Sequence, residues 1–226
     1  MFNPLDLIFP VQCVNCHTNG EYLCKKCAKL INLRFRQRCP VCNKNSITGA
    51  THPRCHSSWT IDGVWASVAY RHPIKKLIHK WKYNYSADLT TTLNNQIIQN
   101  LPDYFKNFDI LVPVPLHPFR KQWRGFNQAE KLAQHLSQDL KIELLNNSLI
   151  RTKNTIPQMQ IKHREIRVKN LNNSFALNPK IEKLKIKQKS ILIIDDITTT
   201  GTTLRQAAKP FKRAGAGRIW GIVIAR

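Results

Sequence analysis

The chain has 226 residues, 42% of them hydrophobic and 8% aromatic, enough for one full domain with a smaller companion. No run approaches the roughly 20 apolar residues of a membrane span, and the opening MFNPLDLIFPVQC lacks the basic start and small-residue cleavage site of an export signal, so we expect a cytoplasmic protein without membrane insertion. The 36 Lys and Arg against 13 Asp and Glu give a formal net charge of +23, a field that favours polyanionic partners, either nucleic acid or phosphorylated small molecules.

All 7 cysteines precede residue 56, and six of them form C-x-x-C pairs. Without an export signal such pairs favour zinc over disulfides, and the odd number argues against a closed disulfide framework. Cys13-x-x-Cys16 and Cys24-x-x-Cys27 make one tetrahedral all-thiolate site, because each tight knuckle aims two sulfurs at one metal. Cys39-x-x-Cys42 opens a second site whose closing pair is incomplete. Either Cys55 opens the closing knuckle, with His56 standing in for the ligand missing at Ser58, or His52-x-x-Cys55 forms it. The second option keeps the two-residue spacing, so the expected ligands are Cys39, Cys42, His52 and Cys55, with His56 as the alternative and a site that has lost its metal as another. A module of about 45 residues with few apolar side chains needs such staples. The zinc is therefore expected to be structural, with four protein ligands and no open position. The end of the cysteines marks a boundary near Ser57 to Asp62, dividing the chain into a zinc module over 1–60 and a second domain over 61–226.

Val64 to Tyr70 reads as a strand. From about Pro73 a helix follows in which Ile74, Leu77, Ile78 and Trp81 recur at i, i+3, i+4 and i+7. That stripe makes Trp81 a core residue and Lys75, Lys76, His79 and Lys80 a solvated face. A short apolar strand spans Asp109 to Pro115, and a helix runs from about Asn127 to Leu140. Arg151 to Asn173 is polar, basic and without a period, as in a loop that orders on ligand binding. Ile191 to Asp195 is a continuous apolar strand of the buried parallel kind. A helix over Thr202 to Arg213 and a strand over Ile219 to Ala225 complete a βαβ unit, and strands alternating with helices imply a parallel α/β sheet.

The segment Ile191 to Thr203, ILIIDDITTTGTT, carries chemistry. A helix N-terminus offers amides and a positive dipole end to an anion, Gly201 allows close backbone approach, and threonine hydroxyls add donors. Asp195 and Asp196, just upstream, accept hydrogen bonds from sugar hydroxyls. The plain alternative is a strand, turn and helix with Asp caps. The segment resembles the phosphoribosyl pyrophosphate (PRPP) motif of type I phosphoribosyltransferases, with Thr198 where an apolar residue is common. VPVPLHPFRKQWRGFNQAEKLA (Val112 to Ala133), then Thr155 and Gln158, then Arg164, Arg167 and Asn170, together with the cysteine pairs, resemble the ComF/GntX family over nearly the whole chain.

The resemblance implies an α/β fold with a type I phosphoribosyltransferase-like parallel sheet behind an N-terminal double zinc ribbon. It implies binding of PRPP with Mg²⁺. Asp195 and Asp196 would be the catalytic acids that hold the ribose hydroxyls and favour an oxocarbenium-like carbon. Thr199, Thr200, Gly201, Thr202 and Thr203 would hold the sugar phosphate. Val114, Pro115 and Leu116 would lie near pyrophosphate, and Arg164 and Arg167 would clamp the anion from the mobile stretch, or else be solvated loop charge. No residue set selecting a nucleobase and no general base is legible. The family also implies DNA uptake in natural transformation, with single-stranded DNA and DNA-uptake machinery as partners. Lys82, Arg120, Lys121, Trp123 and Arg124 lie among aromatics in the manner of single-strand binders. Two functions are thus expected: a DNA-uptake factor that binds PRPP, or an active transferase with an acceptor the sequence does not name.

Overall fold

The computed structural model describes residues 10–33, 35–83, 87–116, 122, 125–152 and 174–226. Five parallel strands form the central sheet: β1 (Gly63–Val68), β2 (Ile110–Pro113), β3 (Glu143–Leu144), β6 (Ile191–Ile197) and β7 (Ile219–Ala225). Their order is β1-β7-β6-β2-β3. A separate antiparallel hairpin joins β4 (Leu149–Arg151) to β5 (Phe175–Leu177). The helices are a single turn α1 (Lys25–Ala28) in the cysteine module, then α2 (Ile74–Tyr83), α3 (Ala87–Ile98), α4 (Gln128–Leu140) and α5 (Thr202–Arg213). The parallel α/β sheet expected from the sequence is the observed one. None of the described helices is long and apolar enough to cross a membrane.

Strand β6 shows why the sheet is central. Ile191, Leu192, Ile193 and Ile194 are all buried, each contributing about 1.5–3 kcal/mol relative to exposure. Alternation sends Leu192 and Ile194 to one face and Ile191 and Ile193 to the other. The first face is covered by α2, α3 and α4, through Leu77, Trp81, Leu93 and Leu132; the second by α5 and the hairpin, through Leu204, Phe211 and Phe175. Trp81 is completely buried and donates its indole N–H to Thr90 Oγ1 at 3.0 Å, as the stripe on α2 requires. The helix α3 and the β4–β5 hairpin had no clear signature in the sequence.

The cysteine module is built into this core. Cys13, Val14, Leu23, Cys27 and Ile31 pack in the same apolar cluster as Trp81. Where the chain leaves the module, Thr51 N–H donates to Asp62 C=O at 2.8 Å. The Asp62 carboxylate then fastens that exit to the sheet: it accepts from Lys212 Nζ (2.8 Å) and Ile219 N–H (2.6 Å), and His56 Nε2 lies 3.0 Å away. Although burial opposes the charge, Lys212, His56 and the Ile219 amide hold the Asp62 carboxyl below its ordinary range.

A folded pKa held below the unfolded value adds stability above the unfolded pKa, and this stability is lost as pH falls through the folded one. Asp62→Asn should lower unfolding free energy by about 1–3 kcal/mol at neutral pH, because the Lys212 ammonium loses its charged acceptor. Denaturant melts should show the gap from wild type closing as pH drops below about 4. A gap unchanged down to strong acid would remove Asp62 from this role.

Candidate functional site

In the order β1-β7-β6-β2-β3, the chain leaves β6 toward α5 on one face and leaves β2 toward α4 on the other. The loops after β6 and β2 therefore part at the carboxyl ends of neighbouring strands, the switch point at which open α/β sheets bind ligands. Asp195 and Asp196 end β6 there, and Val114, Pro115 and Leu116 follow β2. The two loops are tied at their roots by Val114 N–H donating to Ile194 C=O at 2.9 Å.

Gly201 caps α5 in the left-handed region (φ 74°) and supplies no side-chain acceptor to the helix's first amides, which leaves the cap open to an exogenous anion. The turn is pre-shaped by its threonines. Gly201 N–H donates to Thr198 Oγ1 at 3.0 Å, and the hydroxyls of Thr200 and Thr202 lie 2.8 Å apart. Thr198 is thus a buried turn-former, which explains a hydroxyl at a position where the resembled motif commonly has an apolar residue. Thr199 is exposed, while Thr200 and Thr203 are partly so.

The paired acids differ in electrostatic state. Asp195 Oδ1 accepts from Asp196 N–H at 2.9 Å, and Asp196 Oδ1 from Ile197 N–H at 2.7 Å. Burial first, then the neighbouring Asp196 charge, pushes the Asp195 carboxyl well above its usual value. Asp196 is equally desolvated, but the Lys82 ammonium, ion-paired to its Oδ2, outweighs burial and keeps it low. Lys82 was expected to track nucleic-acid phosphate. Instead it is drawn inward to the carboxylates, with 13% of its side chain exposed, and belongs to this site.

Asn127 and Gln128, read from sequence only as part of a motif, have definite tasks. Asn127 Oδ1 accepts from Ala129 N–H at 3.2 Å, capping α4, while its Nδ2 donates to Val114 C=O at 3.1 Å. Gln128 Nε2 donates to Lys82 C=O at 3.3 Å, fixing the end of α2 that carries the ammonium. Asn ahead of a helical period is a cap signal; the Gln128 contact crosses elements and left none. Arg120, Lys121, Trp123, Arg124, Arg164 and Arg167 lie outside the described residues, as do Thr155, Gln158 and Asn170.

The cysteine module holds two four-residue clusters: Cys13, Cys16, Cys24 and Cys27, and Cys39, Cys42, His52 and Cys55. Within each, one ligand atom from every residue lies within 4.8 Å of the others. The knuckles repeat one backbone design. Cys13 N–H donates to Thr18 C=O and Cys39 N–H to Lys44 C=O, both at 2.9 Å, and the residue after the second cysteine, His17 or Asn43, is left-handed. His52 Nδ1 points at Cys42 Sγ (3.3 Å) while Nε2 faces Asn45 C=O (3.0 Å), an outer contact that sets the tautomer for a metal ligand. His56 turns instead to Asp62. The donor chemistry fits zinc. Hydrogen bonds from Thr18 bring Cys16 down to about 6. Burial and the Cys42 and Cys39 sulfurs push Cys55 up to about 11. Such crowding of sulfurs is relieved by a divalent cation among them.

The phosphoribosyl transferase domain model matches residues 85–226, well over half of the chain. The chain belongs to the phosphoribosyl transferase family. In front of that domain, the double zinc ribbon model matches residues 4–57, giving the ComF/GntX arrangement that the sequence resembled. This phosphoribosyl transferase chain is 29% identical to competence protein F of Haemophilus influenzae over 229 residues, 95% of this chain and 97% of that one. It is 30% identical to the DNA utilization protein YhgH of Escherichia coli K12 over 155 residues, 66% of each, and 27% identical to competence protein ComFC of Streptococcus pneumoniae over 205 residues, 86% of this chain and 83% of that one. Among solved structures, the glutamine PRPP amidotransferase from B. subtilis matches 64% of this chain and 30% of its own, with 14% identity and a TM-score of 0.41.

The second ribbon touches the phosphoribosyl transferase turn directly: a Cβ on Gly201 would stand 2.8 Å from Pro40 Cβ. Gly201→Ala therefore meets both the left-handed backbone, about 1–2 kcal/mol by itself, and a wall. It should lower the melting temperature and loosen ribbon from turn, seen as faster amide exchange at residues 198–203. For the metals, elemental analysis should find two zinc per chain, one in His52→Ala, and two still in His56→Ala. Equal losses in the two histidine variants would contradict the ligand assignment.

Proposed function

We propose that this protein binds PRPP or a related sugar phosphate at the β6–α5 turn and handles single-stranded DNA in the cytoplasm as a DNA-uptake factor. The observation that carries the sugar-phosphate half is the geometry at the switch point, where two adjacent carboxylates stand ahead of a glycine-capped helix. The DNA half is supported by relatives named for competence and DNA utilization and by the net charge of +23.

In this reading the turn formed by Thr199, Thr200, Gly201, Thr202 and Thr203 receives the sugar's phosphate. The backbone of Val114, Pro115 and Leu116 faces the pyrophosphate, and Arg164 and Arg167 close over it. Asp196, kept ionised by Lys82, accepts from a ribose hydroxyl. Asp195 holds a proton more readily and can donate one hydrogen bond as well as accept. Mg²⁺, for which Asp195, Asp196 and the ligand's phosphates are suitable hard oxygen donors, supplies charge neutralisation when bound with the pyrophosphate. The two zinc ions are structural, their ligand sets being complete. Arg120, Lys121, Trp123 and Arg124 remain candidates for DNA contact, and proteins of the uptake machinery are the natural partners.

A second reading, transfer of ribose phosphate from PRPP to an acceptor, is favoured by the ionised Asp196, which would stabilise positive charge developing at the sugar carbon. At PRPP and Mg²⁺ about a hundredfold above Kd, the melting temperature should rise by about 5–10 °C, and Asp195→Asn with Asp196→Asn should abolish the rise. Absence of any calorimetric heat with PRPP would end the sugar-phosphate reading. Steady release of pyrophosphate in the presence of an acceptor would favour transfer over binding alone.

A further inference from the structure

Between the second ribbon and the sheet lies a cleft of about 820 Å³, lined in part by residues 197–199 of the β6–α5 turn. Its walls carry Phe35, Arg36, Arg38, Tyr70, Arg71 and Arg226, and none of its described lining residues is acidic. Its volume lies within the range of about 300–1,000 Å³ typical of ligand sites, room for a nucleotide with its phosphates but not for a duplex. Arg36 and Arg71 are exposed, and among the described residues neither has an acidic partner. Arg226 is part of the frame: its Nη1 donates to Arg38 C=O (2.7 Å) and its Nη2 to Asn43 Oδ1 (2.9 Å), clamping the second knuckle to the end of β7. Tyr70, half-buried, lines the cleft together with Ile197, Thr198 and Thr199, and is near enough to Lys82 and Asp196 to feel their charges.

We propose that this cleft is a single-stranded DNA site continuous with the sugar-phosphate site, in which Arg36 and Arg71 hold phosphates while Tyr70 and Phe35 offer faces to bases. It rests on the DNA half of the function proposed above and gives that half a location. Aromatic rings interleaved with cations suit unpaired bases, which stack without regard to sequence. A second basic hollow, about 390 Å³ beside the first ribbon, is lined by Lys75, Lys76 and Lys80 with histidines and has no Phe, Tyr or Trp, so it serves as the control.

The test is fluorescence anisotropy of a labelled oligothymidylate against full-length zinc-replete protein over a range of salt. Arg36→Ala with Arg71→Ala should flatten the log–log salt slope by about 1.4, two phosphate contacts at about 0.7 each, while PRPP binding by calorimetry persists. Tyr70→Leu should weaken DNA binding about tenfold and keep the slope. Lys75→Ala with Lys76→Ala should behave as wild type. If the arginine pair leaves slope and affinity unchanged while wild type binds DNA, or if the lysine pair takes the loss instead, the cleft is not the site and the DNA function survives elsewhere. If wild type binds PRPP but no oligothymidylate at low salt, the cleft proposal and the DNA function fall together.

Discussion

Pro40, buried in the second knuckle, rests against Gly201 at the head of α5. The room left between them is too small for a methyl group, and a close-packed contact transmits displacement instead of absorbing it. The knuckle owes its own shape to Cys39, Cys42, His52 and Cys55 converging on one point. The shape of the second knuckle is thereby linked mechanically to the conformation of the β6–α5 turn. The Arg226 clamp on Arg38 and Asn43 adds a second tie between the same two parts. With Asp62 holding the module's exit to α5 and β7, the ribbon pair is a wall of the site and not an appendage.

The carboxylates show how one sequence repeat yields two chemical states. Asp195 and Asp196 are adjacent and both desolvated, yet the Lys82 ion pair to Asp196 keeps that carboxyl low while Asp195 is raised. Removing a single ammonium would leave two buried like charges competing for one proton, which such sites avoid. Asn127 and Gln128 show that the supporting shell is as specific as the acids, since one residue pair orients the β2 loop and the end of α2 together.

Much of this was legible in the residues. The β6–α5 turn, the boundaries of α5 and β7, Trp81 in the core and the preference for His52 over His56 all follow from period, spacing and turn chemistry, which are local. What escaped was non-local. Lys82 reads from sequence as a nucleic-acid contact, because α2's stripe gives no hint that its C-terminal end meets Asp196, more than a hundred residues further on. Tyr70, Arg71 and Arg226 share a cleft only because β1 lies beside β7 in the sheet. The helix α3 (Ala87–Ile98), rich in threonine and asparagine, lacks the strong propensity that would have announced it.

The sheet order has a bearing on how the molecule is assembled. Among the strands of the central sheet, β1 pairs with β7 alone, and β7 in turn is its link to β6. A chain leaving the ribosome N-terminus first must hold β1 without its sheet partner until some 150 later residues have emerged, a long wait for an apolar edge. The ribbons answer a different schedule: their ligands span only residues 13–55, so they can load metal early. The module can then shelter β1's approach through the Ala50–Gly63 bridge and keep an unpaired strand from finding the wrong companion.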